Sequence, residues 1–253
     1  MIEVRGLYKS FGKVEVLHNI NATFKKGKVN QVIGKSGSGK SVLAKCIVGL
    51  LPPDKGEVLY NGESFQGMSK ERRKELRQEI GMLFQGSALF DSLTVLENVM
   101  FPLRMFATMT VPQMRERADF CLKRVNITGQ DRKYPAELSG GMQKRVGIAR
   151  AIAMQPKYLF VDEPNSGLDP QTSIVIDNLI REITGEFNTT TLVITHDMNS
   201  LMGIADEVFF IHNRQLWWQG TRESLVKSDN EELQEFIFAG SLMRQVRKAL
   251  RGE

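Results

Sequence analysis

The sequence predicts an α/β fold, with a parallel-stranded core, an antiparallel β subdomain near the N-terminus and a helical subdomain inserted in the middle. Three observations carry this reading. Gly34-Lys35-Ser36-Gly37-Ser38-Gly39-Lys40-Ser41 fits the phosphate-binding pattern G-x-x-x-x-G-K-S/T, and it sits between strand-like Val29–Ile33 and a helical stretch at 42–50. Short apolar runs at 158–161 and 191–195 end in Asp162-Glu163 and in His196, as buried parallel strands that deliver polar groups at their carboxyl ends. From Gly86 to about Gln155 the pattern turns helical, with Pro102, Pro112 and Pro135 expected to divide it into pieces. The phosphate loop in that context makes the core a P-loop NTPase.

Composition bounds the rest. A chain of 253 residues, 42% of them apolar, is enough for one large α/β domain with a subdomain. A net charge of +5 permits an anionic ligand or a place near a membrane, and the basic residues are not interleaved with aromatics as nucleic-acid binding would favour. No nucleic-acid partner is expected. Cys46 and Cys121 share no metal or redox spacing and suit a reducing cytosol. The first residues run straight into a strand-like alternation, so no signal peptide is expected. No apolar run reaches the roughly eighteen residues of a spanning helix, so any membrane association is expected to come through a partner.

Along the chain, residues 2–7 alternate, and 14–17 and 20–24 read as two more short strands bounded by Gly12 and the 25–28 turn. Phe11 could stack on an adenine or belong to the core; the residue type fits both. Asn30 and Gln31 are unexpected in a strand buried on both faces, and need either a partly exposed face or hydrogen bonds to neighbouring turns. Residues 58–60 with Asn61-Gly62 suggest a hairpin, 69–77 a charged surface helix, and 80–84 a strand ending at Gln85. The last helix of the insertion, 142–155, follows Ser139-Gly140-Gly141 and stops at Pro156. Residues 171–187 carry Ile174, Val175, Leu179, Ile180 and Ile183 at helical spacing; 208–211 and 215–218 read as a hairpin. From Glu231 the pattern is helical again, passing Phe236 and Ile237 into Arg244, Arg247, Lys248 and Arg251. The expected division is a domain over 1–240, its helical subdomain at about 86–155, and a basic helical tail at 241–253.

The residue types then suggest a division of labour. Backbone N–H groups of the 34–42 loop, through Lys35, Ser36, Ser38 and Val42, ring a triphosphate at a helix N-terminus. Lys40 supplies charge to the β/γ-phosphates and the Ser41 hydroxyl suits Mg²⁺. Asp162 would hold Mg²⁺, directly or through water, and Glu163 is placed to act as general base. His196 could orient water or stabilise developing charge, and Gln85 is a candidate ligand to Mg²⁺ or to the lytic water. The competing reading of Asp162 and Glu163 is two acids capping the next helix. Ser139, before Gly140 and Gly141, caps a helix whose N–H groups form a second anion site. One chain cannot easily need two triphosphate grips, but two chains facing head to tail could each offer this helix end to the other's nucleotide.

Taken together, these motifs resemble an ATP-binding-cassette (ABC) ATPase subunit over nearly the whole chain. Phosphate loop, Gln85, Leu138-Ser139-Gly140-Gly141-Met142, Asp162-Glu163, Asn165-Ser166-Gly167-Leu168-Asp169 and His196 occur in that family's order. The resemblance implies ATP and Mg²⁺ as cofactors and a homodimer with two nucleotides at its interface. It also implies that Ser139 and Gly141 grip the γ-phosphate across that interface and that Asp169 couples the two sites. Phe11 then stacks on adenine, flanked by Val16.

Local features narrow the family. The 83–95 segment, Leu-Phe-Gln-Gly-Ser-Ala-Leu-Phe-Asp-Ser-Leu-Thr-Val, is similar to that of ATPases serving MCE-domain (Mla-type) lipid transporters, although their usual Ser-then-Gly order is reversed at Gly86-Ser87. Residues 235–240 are similar to that group's ending. Gly167, where solute importers usually carry Ala, points the same way. Read physically, Leu89, Phe90 and Leu93 either line a groove for a short helix of a membrane partner or pack within the helical subdomain. The basic tail leaves dimer contact, partner contact and a solvated face open. The implied function is an ATPase peripheral to the cytoplasmic face of an inner membrane, driving a separate integral-membrane permease, with an MCE-domain protein, to move phospholipid. The alternatives are import of a polar solute such as an amino acid, and a soluble, non-transport ABC ATPase.

Overall fold

Alternation of apolar side chains sets the first layer. The computed structural model describes residues 1–238; the tail expected at 241–253 lies outside the described residues. Ile2, Val4 and Leu7 on β1 (Ile2–Phe11) and Leu17, Ile20, Ala22 and Phe24 on β2 (Val14–Phe24) are all buried. Three short strands were expected here, and two long ones form. The reason is bulging: Gly6 at φ 53° and Asn19 at φ 49° shift the register without ending either strand, and the Gly6 N–H donates to Asn21 Oδ1 at 2.8 Å.

The chain continues through β3 (Val29–Ile33), α1 (Lys40–Ile47), β4 (Lys55–Tyr60), β5 (Glu63–Ser64), α2 (Lys70–Gln78) and β6 (Ile80–Leu83). Next come α3 (Val95–Phe106), α4 (Val111–Arg124), α5 (Gly140–Ile152), β7 (Tyr158–Asp162), α6 (Pro170–Phe187) and β8 (Thr190–Ile194). The described chain closes with α7 (Met198–Ile204), β9 (Glu207–His212), β10 (Gln215–Thr221), α8 (Arg222–Val226) and α9 (Glu231–Ile237). Strands β2-β1-β4-β5 form an antiparallel sheet, and a second sheet has the order β10-β9-β3-β8-β7-β6. In the second sheet every pairing from β9 to β6 is parallel, with β10 antiparallel on the edge. The α/β class and its antiparallel and helical additions are as expected.

Pro102 does not divide the insertion as expected; α3 runs through it. The buried stripe Val95, Val99, Met100 and Leu103 anchors the helix, and Thr94 starts it with a capping box closed by Glu97. That packing outweighs the single backbone bond a proline removes. Pro112 and Pro135 sit in first turns, where proline costs little.

The parallel sheet separates two apolar layers. Val29, Leu159, Val161 and Val193 face the core shared with α3, α4, α5 and α6, whereas Val32, Phe160, Leu192 and Ile194 face the core shared with α1 and the antiparallel sheet. Asn30 and Gln31 are fully buried, so their strand has no exposed face. Asn30 Oδ1 accepts the Lys25 N–H at 2.8 Å, and its amide donates to the Lys25, Lys28 and Thr191 carbonyls at 3.0 Å. Gln31 donates to Ser200 Oγ at 3.3 Å. Turn hydrogen bonding is therefore the answer for Asn30.

Candidate active site

Parallel strands place the site at their carboxyl ends. Reading across the sheet, β3 leads into the 34–41 loop, β8 leads to His196, β7 ends in Asp162-Glu163 and β6 leads to Gln85. Residues that lie far apart in the chain thus line one cleft of about 600 Å³, within the roughly 300–1,000 Å³ of small-molecule sites. Its walls include Val16, Gly34, Lys35, Ser36, Gly37, Gly39, Lys40, Ser41, Val42, Gln85, Glu163 and His196, with Phe236 from α9.

The loop is shaped for backbone donors. Gly39 has φ 103°, and a Cβ there would lie 2.9 Å from the Val16 carbonyl oxygen. Glycine alone fits so tight an approach in that conformation. Ser38 Oγ is buried and has no hydrogen-bond partner among the described residues, an orphaned polar atom in the cradle itself. Lys40 is buried and donates to the Gly34 and Lys35 carbonyls at 2.9 and 3.1 Å. Burial lowers its pKa, against the opposing pull of Glu163 and Asp162. A buried cation in a glycine-rich loop that opens a helix fits the phosphates of a nucleotide.

Ser41 Oγ donates to Asp162 Oδ1 at 3.4 Å. Burial, then the neighbouring Glu163 charge, raises the Asp162 pKa, so a cation here would relieve both costs. The hydroxyl and carboxylate oxygens, with the exposed Gln85 nearby in the cleft wall, are hard donors of the kind Mg²⁺ takes. The residues fit that ion.

Glu163 has φ 49°, a left-handed conformation that costs a non-glycine residue roughly 1–3 kcal/mol. Its N–H donates to the Ile194 carbonyl at 2.9 Å, which fixes the turn. One carboxylate oxygen stands 2.9 Å from His196 Nδ1 and the other 2.8 Å. A strained carboxylate aligned by an imidazole at a cleft mouth is placed to take a proton from water.

Other sequence-derived candidates lie elsewhere. Phe11 is half-exposed at the end of β1, outside the cleft lining, with Lys9 Nζ 5.6 Å from its ring centre. Ser139 caps α5, its Oγ accepting the Met142 N–H at 3.3 Å. A Cβ on Gly140 would lie 3.7 Å from Leu168, and one on Gly141 2.6 Å from Thr172. Asp169 caps α6, accepting the Thr172 hydroxyl at 2.5 Å and the Thr172 N–H at 2.9 Å, and those bonds lower its pKa. Signature and Asp169 loop therefore abut one another and stand apart from their own chain's cleft.

Sequence reasoning missed two groups. Phe236 reaches the cleft from a terminal helix, packed on Phe210 with ring centres 5.3 Å apart. Lys144, 5% exposed, donates to the Gln85 and Glu163 carbonyls. The signal for it was a lysine five positions after a helix cap, on the face that α5 buries.

Comparison with known proteins agrees with this fold. The dimeric ATP-binding cassette MJ0796 bound to ADP and Pi superposes with a TM-score of 0.80 at 30% identity, over 88% of this chain and 99% of that one. The probable ribonucleotide transport ATP-binding protein mkl of Mycobacterium leprae is 36% identical over 93% of this chain and 68% of its own length. The intermembrane phospholipid transport system ATP-binding protein MlaF of Haemophilus influenzae is also 36% identical, over 94% of this chain and 90% of its own. The family profile described as ABC transporter matches residues 17–166, so the signature at Ser139, the acid pair and the phosphate loop all fall inside it, and this chain belongs to the ABC transporter family.

Proposed function

We propose that this chain is the ATP-hydrolysing subunit of a bacterial transporter that moves phospholipid between envelope membranes. The observation that carries the hydrolytic part is the meeting of Lys40, Ser41, Asp162, Glu163 and His196 at adjacent strand ends around one cleft. ATP enters with its phosphates on the 34–41 loop. Lys40 leaves the loop carbonyls for the β/γ-phosphates. Mg²⁺, held by Ser41, Asp162 and Gln85, would neutralise charge on the phosphates. Glu163 takes the proton from water as it attacks the γ-phosphorus, while His196 fixes the carboxylate's orientation. The bond from that phosphorus to the bridging oxygen breaks, ADP leaves with the bridging oxygen and phosphate is released. Ser139 and Gly141 of a second copy complete the anion site, Asp169 links the two sites, and Phe11 with Val16 bounds the adenine.

Lipid as the substrate class is supported by the 83–95 segment and by the MlaF likeness. No helix among the described residues is long and apolar enough to cross a membrane; in this reading the lipid path belongs to a separate permease. An apolar groove of about 440 Å³, lined by Phe84, Phe90, Phe101, Phe106 and Met154, suits a short helix of that permease. The chain then works on the cytoplasmic face of the membrane, with an MCE-domain protein in the same assembly.

The test is recovery of the tagged chain from its native membranes in mild detergent, with mass spectrometry of proteins and lipids. A polytopic permease with an MCE-domain protein and phospholipid is the expected outcome. A permease with a soluble solute receptor would replace lipid by a polar solute. Recovery without any membrane protein would end the transport reading.

A further inference from the structure

The end of β6 and the end of β7 lie side by side in the sheet, and a single buried ammonium joins the turns that follow them. Lys144 Nζ donates to the Gln85 carbonyl and, at 3.4 Å, to the Glu163 carbonyl. Six residues further along α5, Arg150 donates to the Ser87 carbonyl at 2.8 Å and to the Ala88 carbonyl at 2.7 Å. Those two residues hold left-handed conformations, φ 61° and 47°, that neither serine nor alanine favours. Between the two cations, Gly147 lets the loop close onto the helix: a Cβ there would meet Leu83 Cδ1 at 2.7 Å and Ser87 Cβ at 3.5 Å. A strained loop of four residues is thus fastened to α5 by main-chain carbonyls at both ends, spanning about 9 Å of helix at 1.5 Å per residue.

We propose that Lys144 is a positioning residue for ATP hydrolysis, fixing Gln85 against Glu163 and tying both to the helix that Ser139 caps. Two carbonyls from different turns converge on one site, and the three-donor ammonium satisfies both with charge-assisted hydrogen bonds, where an apolar side chain leaves both unpaired. Asp162 and Glu163 act electrostatically on both this ammonium and that of Lys40, each opposing the lowering that burial imposes. Because α5 is continuous from Gly140 to Ile152, a displacement of Gln85 displaces the capped helix end with it. The proton relay and the anion grip offered to a second copy then move as one body. This inference rests on the assignment of Glu163 as base.

The test uses the full-length chain, with turnover expressed per ATP-binding site so that unfolded protein does not count. Lys144→Met should lower kcat about tenfold while ATP Kd stays within about threefold, because the 34–41 loop is untouched. Lys144→Gln, which keeps a donor without the charge, should recover part of the loss. Arg150→Lys, which keeps charge but not the two-carbonyl grip, should lower kcat several-fold and covers the case in which Lys144→Met does not fold. Parent-like kcat in folded Lys144→Met or Arg150→Lys, or a loss of affinity in proportion to kcat, overturns the proposal. Glu163→Gln is measured alongside. If it is inactive while Lys144→Met is normal, the positioning role alone fails; if it turns over normally, the base assignment fails and this inference with it.

Discussion

The role proposed for Glu163 rests on three local facts: a left-handed backbone, a hydrogen bond to Ile194 and an imidazole on its carboxylate. Glu163→Gln keeps shape and hydrogen-bonding capacity but removes the basic oxygen. Turnover should fall roughly a hundred- to ten-thousandfold, the usual worth of a general base, with ATP binding retained. Lys40→Ala acts on the other step. It removes a charge-assisted contact to the phosphates and should raise ATP Kd about ten- to a hundredfold. Equilibrium binding and steady-state hydrolysis, measured on both variants, separate the roles; undiminished hydrolysis in Glu163→Gln would remove it as base. At this scale, residues inside motifs were legible in the chain because chemistry dictates their spacing. Lys144 and Phe236 were not, since what each does depends on which carbonyl or cleft the fold brings beside it.

Elements obey packing before propensity. Sequence placed most of them well wherever a short apolar run or a period of about 3.6 was unbroken, as in β7 and α6. It failed where a local breaker is absorbed by tertiary structure. The gap expected between 17 and 20 is spanned by an irregularity at Asn19, and Pro102 became a residue of α3. The helix begins instead at Thr94, whose Oγ1 accepts the Glu97 N–H at 3.3 Å and donates to the Glu97 carboxylate at 2.8 Å. The Thr94 N–H, 2.9 Å from the Glu97 carboxylate, and then the Thr94 hydroxyl depress the Glu97 pKa. Thr94→Ala breaks both hydroxyl bonds and should cost about 1 kcal/mol, a fall of about 2–4 °C in Tm for a chain of this size. Calorimetry reads the loss directly. No change in Tm would show that the buried stripe alone sets where α3 begins.

On the scale of the whole molecule, the separation of Ser139 and Asp169 from their own chain's cleft is the fact to explain. A capped helix end and a phosphate loop both favour anions, and a monomer holds them apart. Head-to-tail pairing puts each against the other's partner group, so both are used twice in a closed dimer. The arrangement predicts complementation between defective chains. Lys40→Ala weakens the loop's grip, and Ser139→Arg blocks the capped helix end with a bulky side chain, so each homodimer carries two damaged sites. A mixed dimer carries one site with both defects and one with neither, built from the Ser139→Arg chain's loop and the Lys40→Ala chain's helix. Mixing the two purified variants should therefore restore hydrolysis well above the sum of the separate rates, with a dependence on protein concentration that reports dimerisation. A site complete within one chain would show no gain at any ratio, and the signature helix would then have to serve something other than the partner's nucleotide.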